Sequence, residues 1–446
     1  MPKSNQPLPA ASAAERAGDA VIATLHRAGH AAFRVGGCVR DRLLGRPVQD
    51  VDVATAATPE AVQALFPRTY AVGAAFGVVV VHAAEGVDIE VATFREDAEY
   101  QDGRRPTAVR FATPEVDARR RDFTINALFY DPAAETILDP AHGLDDLARG
   151  VLRAIGEPAA RFHEDSLRLL RAARFAAELG FTLDPATAAA LTAEAPGLAR
   201  VSPERVYAEL TRMLTGRDPA RAFTLLAEHR LLDHWLPELV AMQGMPQPPE
   251  FHPEGDVWEH TLALLRLLRT PNTALAWAAL LHDVGKPPTH EWRKGRDAFP
   301  NHARTGAELA AAILRRFHAP GAVIDAASAM VASHMTFRDV RDMRPATLRR
   351  FLGGPVFADE LELHRLDCQA SHGDCANYVF LLDTLARYAA VPLLPPPLLQ
   401  GRDLIAAGAT PGPRFRPLLD EARELQLNGE LTDRDHALRW LAEHLG

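Results

Sequence analysis

The stretch RVGGCVRDRLLGRPVQDVDVAT, residues 34–55, sets an Asp-Val-Asp a short helix-length behind a Gly-Gly pair. In a β-strand successive side chains point to opposite faces, so Asp50 and Asp52 share one face while Val51 and Val53 turn into a core. Two carboxylates held side by side repel each other unless protons or a divalent cation neutralise them, and hard oxygen ligands suit Mg²⁺. Gly36-Gly37 offers the other half of a phosphate site. Lacking Cβ atoms, the pair lets backbone N–H groups approach an anion, and VRDRLL reads as the helix that follows. A phosphate-cradling turn ahead of a paired-carboxylate strand is the layout nucleotidyl transfer needs. An Asp-x-Asp alone is usually a solvated strand end; the glycine pair at this spacing favours metal.

The chain of 446 residues is 47% hydrophobic and 24% charged, ordinary for a soluble globular protein of two to four domains. Its most apolar run, AVGAAFGVVVV, is too short to span a bilayer, and MPKSNQPLPAASAAERAG lacks a signal-peptide core, so no membrane partner and a cytoplasmic location are expected. Cys38, Cys368 and Cys375 show no metal spacing and are odd in number, which predicts reduced thiols. The net charge of −9 means that nucleic-acid binding would need a local basic surface.

The pattern along the chain predicts an α+β protein with a small mixed head and a mostly helical remainder. Residues 1–14 read as a disordered Pro/Ala/Ser-rich start and 15–154 as the head, beginning with a helix near 15–29. Strands are expected at Phe33–Val35, DVDVAT, GVVVVHA and VDIEVATF, with REDAEYQDGRRPTAVRF as a movable loop. From 155 to 245 amphipathic patterns such as SLRLLRAARFAAELG and VYAELTRMLTG take over, each closing on a glycine at the C-cap. The Pro-rich MPQPPEFHP and VPLLPPPLLQG mark further boundaries, giving segments 254–376 and 377–446.

Glu90, on a strand between Ile89 and Val91, is the expected third carboxylate beside Asp50 and Asp52; Asp88 shares its face and competes. Three carboxylates can hold the two ions of phosphoryl transfer. In ARRRDFTINALFYD the carboxylate of Asp122, the hydroxyl of Thr124 and the amide of Asn126 fall within one helical turn and suit a ribose and a triphosphate, with Arg121 turned inward. In RFHEDSLRLLRAARFAAELGF, Asp165 and Arg168 read as i,i+3 neighbours on one helix face, an acceptor beside a donor fork. Cytosine and adenine present an amino donor next to a ring-nitrogen acceptor, whereas guanine and uracil present the reverse. A fixed Asp-Arg pair therefore accepts C and A and rejects G and U. Its bland alternative is a surface ion pair. Arg171, Arg174, Arg205 and Arg212 are expected to run as a basic stripe for RNA.

GGCVRDRLLGRPVQDVD, EVATFREDAEYQDGRRP, RRDFTINA and EDSLRLLRAARFAAELGF resemble, in that order, the motifs of class II tRNA nucleotidyltransferases, the CCA-adding enzymes related to bacterial poly(A) polymerases. The likeness covers roughly residues 30–230 plus GRDLIAAGATPGP. It implies a polymerase-β-like nucleotidyltransferase head, helical neck, body and tail, and untemplated addition of C, C and A to a tRNA 3′ end from CTP and ATP. It implies metal ligation by Asp50 and Asp52, nucleotide contacts from Gly37, Arg40 and Arg121, and base selection by Asp165 and Arg168 with Arg171 and Arg174 beside them. Poly(A) polymerases resemble the same head but carry a Gly-Arg-Arg-Phe type of strand where this chain has VGAAFGVVVV, which favours tRNA repair. The EDAEYQDGRRP loop looks full length, as terminal A addition requires; an A-only enzyme stays open.

The later half resembles an HD phosphohydrolase domain: His260, His282-Asp283, His302, His334 and Asp367 recur in its order, with Gly285-Lys286-Pro287 after the HD pair. The resemblance implies hydrolysis of a phosphoester on a divalent transition metal or Mg²⁺. His318, His364 and His372 read as structural. A hydrolase in which this site matters most is the rival of another class.

Overall fold

Residues 11–70, 77–83, 86–97 and 109–445 are described by the computed structural model. They fall into two units, Met1–Val240 and Ala241–Gly446. In the first, α1 (Ala13–Arg27), β1 (Ala32–Val35), α2 (Gly37–Leu43), β2 (Asp52–Thr55), α3 (Pro59–Leu65), β3 (Thr69–Tyr70), β4 (Val78–His82) and β5 (Asp88–Thr93) come in that order. Next are β6 (Arg95–Asp97), β7 (Val109–Phe111), α4 (Pro114–Arg119), β8 (Phe129–Asp131), β9 (Thr136–Leu138), α5 (Gly143–Arg149) and β10 (Val151–Leu152). The unit closes with α6 (Pro158–Glu164), α7 (Leu167–Leu179), β11 (Thr182–Leu183), α8 (Pro185–Glu194), α9 (Pro203–Leu214), α10 (Pro219–Glu228) and α11 (Pro237–Val240).

Seven strands form one sheet in the order β3-β4-β5-β2-β1-β8-β9. Only the central β2–β5 pair is parallel. The β-branched runs VVVVH and DIEVAT alternate as a half-buried sheet requires, with Val79, Val81, Ile89 and Val91 inside. Phe94 and Phe129 pack with Val35, Ala54 and Ile155 in one cluster. Fully burying such a phenylalanine stabilises the unit by about 2–3 kcal/mol.

The first helix starts two residues before the expected point because Ser12 and Glu15 form a capping box, each side chain accepting from the other's backbone N–H. Residues 11–14 are thus the cap and first turn rather than a disordered start, while 1–10 lie outside the described residues. Most of the expected EDAEYQDGRRP loop and part of VGAAFGVVVV also lie outside them.

Three other expectations are corrected. The DVDVAT strand begins only at Asp52, so Asp50 precedes it. Its partner β1 stops at Val35, where Gly36 turns the chain with φ of 79°, and no antiparallel ladder remains for Asp50 to join. The helix through EDSLRLL is broken: Asp165 has extended backbone (φ −142°, ψ 100°) between α6 and α7, and its carboxylate accepts the Leu167 N–H at 3.1 Å. Gly180 closes α7 in the left-handed conformation as expected. After α9, however, Thr215 is the cap, and Gly216 is excluded from carrying a side chain by the Arg212 carbonyl, 2.8 Å from where its Cβ would sit.

The second unit contains α12 (Val257–Leu267), α13 (Thr273–Leu281), the hairpin β12 (Glu291–Arg293) and β13 (Arg296–Ala298), α14 (His302–Arg316), α15 (Gly321–Ser333) and α16 (Pro345–Leu352). It ends with α17 (Phe357–Ala370), α18 (Ala376–Tyr388), α19 (Gly401–Ala406), α20 (Phe415–Asn428) and α21 (Arg434–Leu445). Its helices pack on buried Trp277, Phe317 and Phe337. The Pro-rich segment before α19 is held by Arg349, which donates to the carbonyls of Pro392 and Leu393. Among the described residues no helix is long and apolar enough to cross a membrane.

Candidate active site

In the head, β2 and β5 run parallel with Asp52 opposite Glu90. Asp50, Asp52 and Glu90 are all solvent-exposed at this end of the sheet. The Asp52 carboxyl is pushed up to about 6, by partial burial first and then by the charge of Glu90, with Asp50 adding to it and Arg121 opposing. The competitor Asp88 lies one alternation further along β5 and is engaged by His82, Nδ1 to Oδ1 2.7 Å. Burial holds the Cys38 thiol, close to Asp52, up at about 11, and that of Cys368 at about 12, consistent with unreactive thiols.

Gly36 and Gly37 sit against two guanidiniums. A Cβ on Gly36 would come 3.6 Å from Arg121 Nη1, and one on Gly37 3.6 Å from Arg40 Nη2. Arg121 does turn inward: it donates to Asp117 at 2.9 Å and lies 5.3 Å from the Phe129 ring centre. Arg119 ends α4, Arg120 caps it and Arg121 follows, and Thr124–Asn126 forms a single 3₁₀ turn.

Asp122 and Asn126 form a buried network. Asn126 accepts from Arg40 at 2.6 Å and donates to Asp122 at 3.0 Å, while Arg171 donates to the other Asp122 oxygen at 2.6 Å. Burial alone would raise the Asp122 carboxyl, but Arg171 and the Asn126 hydrogen bond bring it down to about 2. Thr124 is turned away, donating to buried Asp146 at 2.8 Å, so its expected place at a ribose is not seen.

Because of the helix break, Arg168 does not pair with Asp165. Its guanidinium donates to Glu164 at 2.7 Å and to the carbonyls of Arg161 and Arg120, while Asp165 accepts from Arg205 at 2.9 Å. Acceptor and fork are thus each held by a separate partner. Glu164 was not singled out from sequence; it stands one residue ahead of the motif's Asp, where an i,i+4 spacing to Arg168 was the available signal. The basic stripe is likewise corrected. Arg171 pairs with Asp122, Arg205 with Asp165, and Arg174 and Arg212 both with buried Glu209, at 2.6 and 3.1 Å. Asp122 comes from the loop after α4, Asp165 from the break between α6 and α7, and Glu209 from α9, placements that a reading of arginine spacing alone does not register.

In the second unit the six expected groups converge. His260 Nε2 lies 3.2 Å from His282 Nε2 and 3.0 Å from Asp367 Oδ1. His302 Nε2 lies 3.2 Å from His334 Nε2, and Asp283 Oδ1 is 3.7 and 3.8 Å from those nitrogens. Every one of these histidines has an acceptor at Nδ1: Glu254 for His260 at 2.5 Å, and the carbonyls of Ala279, Phe299 and Val331 for His282, His302 and His334 at 2.7–3.0 Å. With Nδ1 facing an acceptor, each Nε2 faces inward and, once deprotonated, offers its lone pair there, which is how protein scaffolds prepare imidazoles for metal. Burial would lower His260, but Asp367 and Glu254 lift it to about 9. Burial lowers His334 to about 4. His252, inside the Pro-rich run, and Glu254, at the first residue of the expected 254–376 segment, are joined at 2.9 Å and were missed because no motif spacing marks them. A cavity of about 520 Å³ opens onto the cluster, lined also by Lys286, Arg296, Phe299 and His364. His364 stacks on Phe337 with ring centres 4.4 Å apart, and His318 takes φ of 55° at a helix end.

Known families match along the chain. That described as "Poly A polymerase head domain" matches residues 32–153, "Probable RNA and SrmB- binding site of polymerase A" 180–242, and "HD domain" 257–362. The CCA-adding enzyme of Geobacillus thermodenitrificans (strain NG80-2) is 35% identical over 430 residues, 95% of either chain. That of Geobacillus stearothermophilus is 43% identical over 282 residues, 61% of this chain and 65% of its own. The crystal structure of Bacillus stearothermophilus CCA-adding enzyme in complex with CTP superposes with a TM-score of 0.76 at 31% identity, covering 98% of both chains. The Thermotoga maritima CCA-adding enzyme complexed with tRNA, 19% identical with a TM-score of 0.60 over 96% of this chain and 94% of its own, shares the fold. With its paired carboxylates, glycine turn and end-to-end likeness to these proteins, the chain belongs to the CCA-adding enzyme family.

Proposed function

We propose that this chain adds C, C and A to tRNA 3′ ends, using CTP and ATP. The observation that carries the reading is the Asp52–Glu90 register beside the Gly36-Gly37 turn, with Asp50 at the same open end of the sheet. The residues fit a divalent ion: burial and the charges of Glu90 and Asp50 raise the Asp52 carboxyl, and Arg121 is the one cation among the causes that opposes them. Asp50, Asp52 and Glu90 would hold Mg²⁺, which when bound lowers the proton affinity of the tRNA 3′-hydroxyl and neutralises leaving pyrophosphate. Gly37, Arg40 and Arg121 bind the triphosphate, and Asp122 and Asn126 support Arg40 rather than the nucleotide. Asp165 and Arg168 read the base edge; Arg205 and Glu164 fix them in orientation before a nucleotide arrives. Arg171 and Arg174 anchor that helix. The units around these sites are a head over 15–154, a neck over 155–245, an HD domain over 254–376 and a tail over 377–446.

A second activity, phosphoester hydrolysis at the HD site, is favoured by the four inward-facing Nε2 atoms with Asp283 and Asp367. The mixed nitrogen and oxygen donors suit a divalent transition metal. The test is a sequencing-gel assay with Mg²⁺, labelled CTP, ATP, GTP or UTP, and transcripts ending before CCA, after CC, or unrelated to tRNA. Three additions on the first, one on the second and none from GTP or UTP support the reading. A long A ladder on the unrelated RNA means poly(A) polymerase, A alone on the second an A-adding enzyme, and no extension at all an HD hydrolase.

A further inference from the structure

Three guanidiniums surround one phenyl ring. Arg40, Arg171 and Arg174 lie 5.1, 5.2 and 4.2 Å from the centre of Phe175, which is buried and meets Phe123 edge-on at 5.9 Å. Arg40 is on α2, directly after the glycine turn, whereas Arg171 and Arg174 are on α7, whose first turn holds Arg168 and follows Asp165, the pair proposed above to read the base. The two helices are joined a second time through polar groups, Arg40 to Asn126 to Asp122 to Arg171. Ring and network close a loop between the phosphate end and the base end of the site. Cations gather over an aromatic face because its quadrupole is negative there, and the attraction is larger where water is excluded. Each arginine also has its own carboxylate, Asp41, Asp122 and Glu209, so the ring does not neutralise them; it sets where their planar groups lie relative to one another.

We propose that Phe175 is a positioning residue for nucleotide recognition: its π face fixes Arg40 against Arg171 and Arg174 and so sets the distance between the triphosphate and base subsites. This rests on the reading of α2 and Asp165–Arg168 given above.

The test replaces Phe175 in the full chain with mono-, di- and trifluorophenylalanine, near-isosteric rings of progressively weaker face potential, alongside Phe175→Tyr and Phe175→Leu. KM and kcat for CTP and ATP are measured, together with equilibrium CTP affinity, UMP misincorporation and Tm. The expected result is a stepwise rise in KM reaching about five- to tenfold for the trifluoro ring and for leucine. Over the fluorinated series kcat stays within about twofold and Tm is unchanged, misincorporation rises with KM, and tyrosine behaves like phenylalanine. A flat KM across the fluorinated series overturns the inference, whatever leucine does to folding. Failure of the unmodified chain to bind CTP or extend tRNA would instead overturn the functional reading, which separates the two.

Discussion

Asp52 and Glu90 are register partners on adjacent parallel strands, and their carboxylates stand together at the exposed end of the sheet. Asp52→Asn and Asp50→Asn are each expected to lower CMP and AMP incorporation at least about a hundredfold, since a hard cation loses an anionic ligand. Glu90→Gln should follow the same direction. Asp88→Asn should stay within about twofold of wild type because His82 already occupies that carboxylate. Single-turnover extension of a tRNA transcript measures all four.

The Asp122–Arg171 pair makes a pH prediction. The folded carboxyl is lowered to about 2 from an ordinary 3.8, so its contribution is present in full above about 4 and is lost as pH falls towards 2. That shift corresponds to about 2 kcal/mol. Asp122→Asn should cost roughly this at pH 7, and the gap between variant and wild type should close on acidification. Urea denaturation from pH 7 down to pH 2.5 reads it; a gap independent of pH would assign the loss to packing.

Glu164 orients the Arg168 fork. Hydrogen bonds to charged groups contribute about 1.5–3 kcal/mol, so Glu164→Gln is expected to raise UMP and GMP misincorporation about tenfold while CMP addition falls less. Arg168→Lys should do at least as much, because an ammonium does not reproduce a planar two-donor edge. Primer extension with one nucleotide at a time gives the ratios.

The two halves of the HD cluster differ in protonation. His260, lifted to about 9, carries a proton at pH 7, and an ion at the His260–His282–Asp367 group must expel it. His302 and His334, both lowered by burial, are already neutral. Zinc or manganese titration, followed by calorimetry in buffers of different ionisation enthalpy, is expected to show about one proton released for the first group and none for the Asp283–His302–His334 group. His260→Gln should abolish the release.

Gly285 packs against α14 so closely that a Cβ would lie 2.1 Å from the His302 carbonyl oxygen and 2.5 Å from the Gly306 nitrogen. Gly285→Ala should therefore displace His302, lower Tm by several degrees and weaken metal binding more than tenfold, as read by a metal-dependent melting curve.

Much of this protein is written locally. Alternation in GVVVVHA and VDIEVATF and the glycine turn depend on neighbours a few positions away, and periodicity expresses them directly; the HD residues, spread from 260 to 367, are legible only through their order and its resemblance to a known domain. Asp50, Asp52 and Glu90 stand out as candidates from that local pattern, and the structure brings Asp52 and Glu90 into register. What the chain order alone did not contain were relations across elements. Ending β1 at Gly36 denies Asp50 a ladder partner, and an extended Asp165 splits one apparent helix into two. Glu209 on α9 pairs with Arg174 of α7 as well as with Arg212 of its own helix, and Glu254, joined to His252, supports His260 from ahead of α12. Hydrophobic pattern and turn chemistry act within a few residues and so are legible one element at a time. Which carboxylate a buried arginine meets is decided by desolvation, which exists only once the elements have packed.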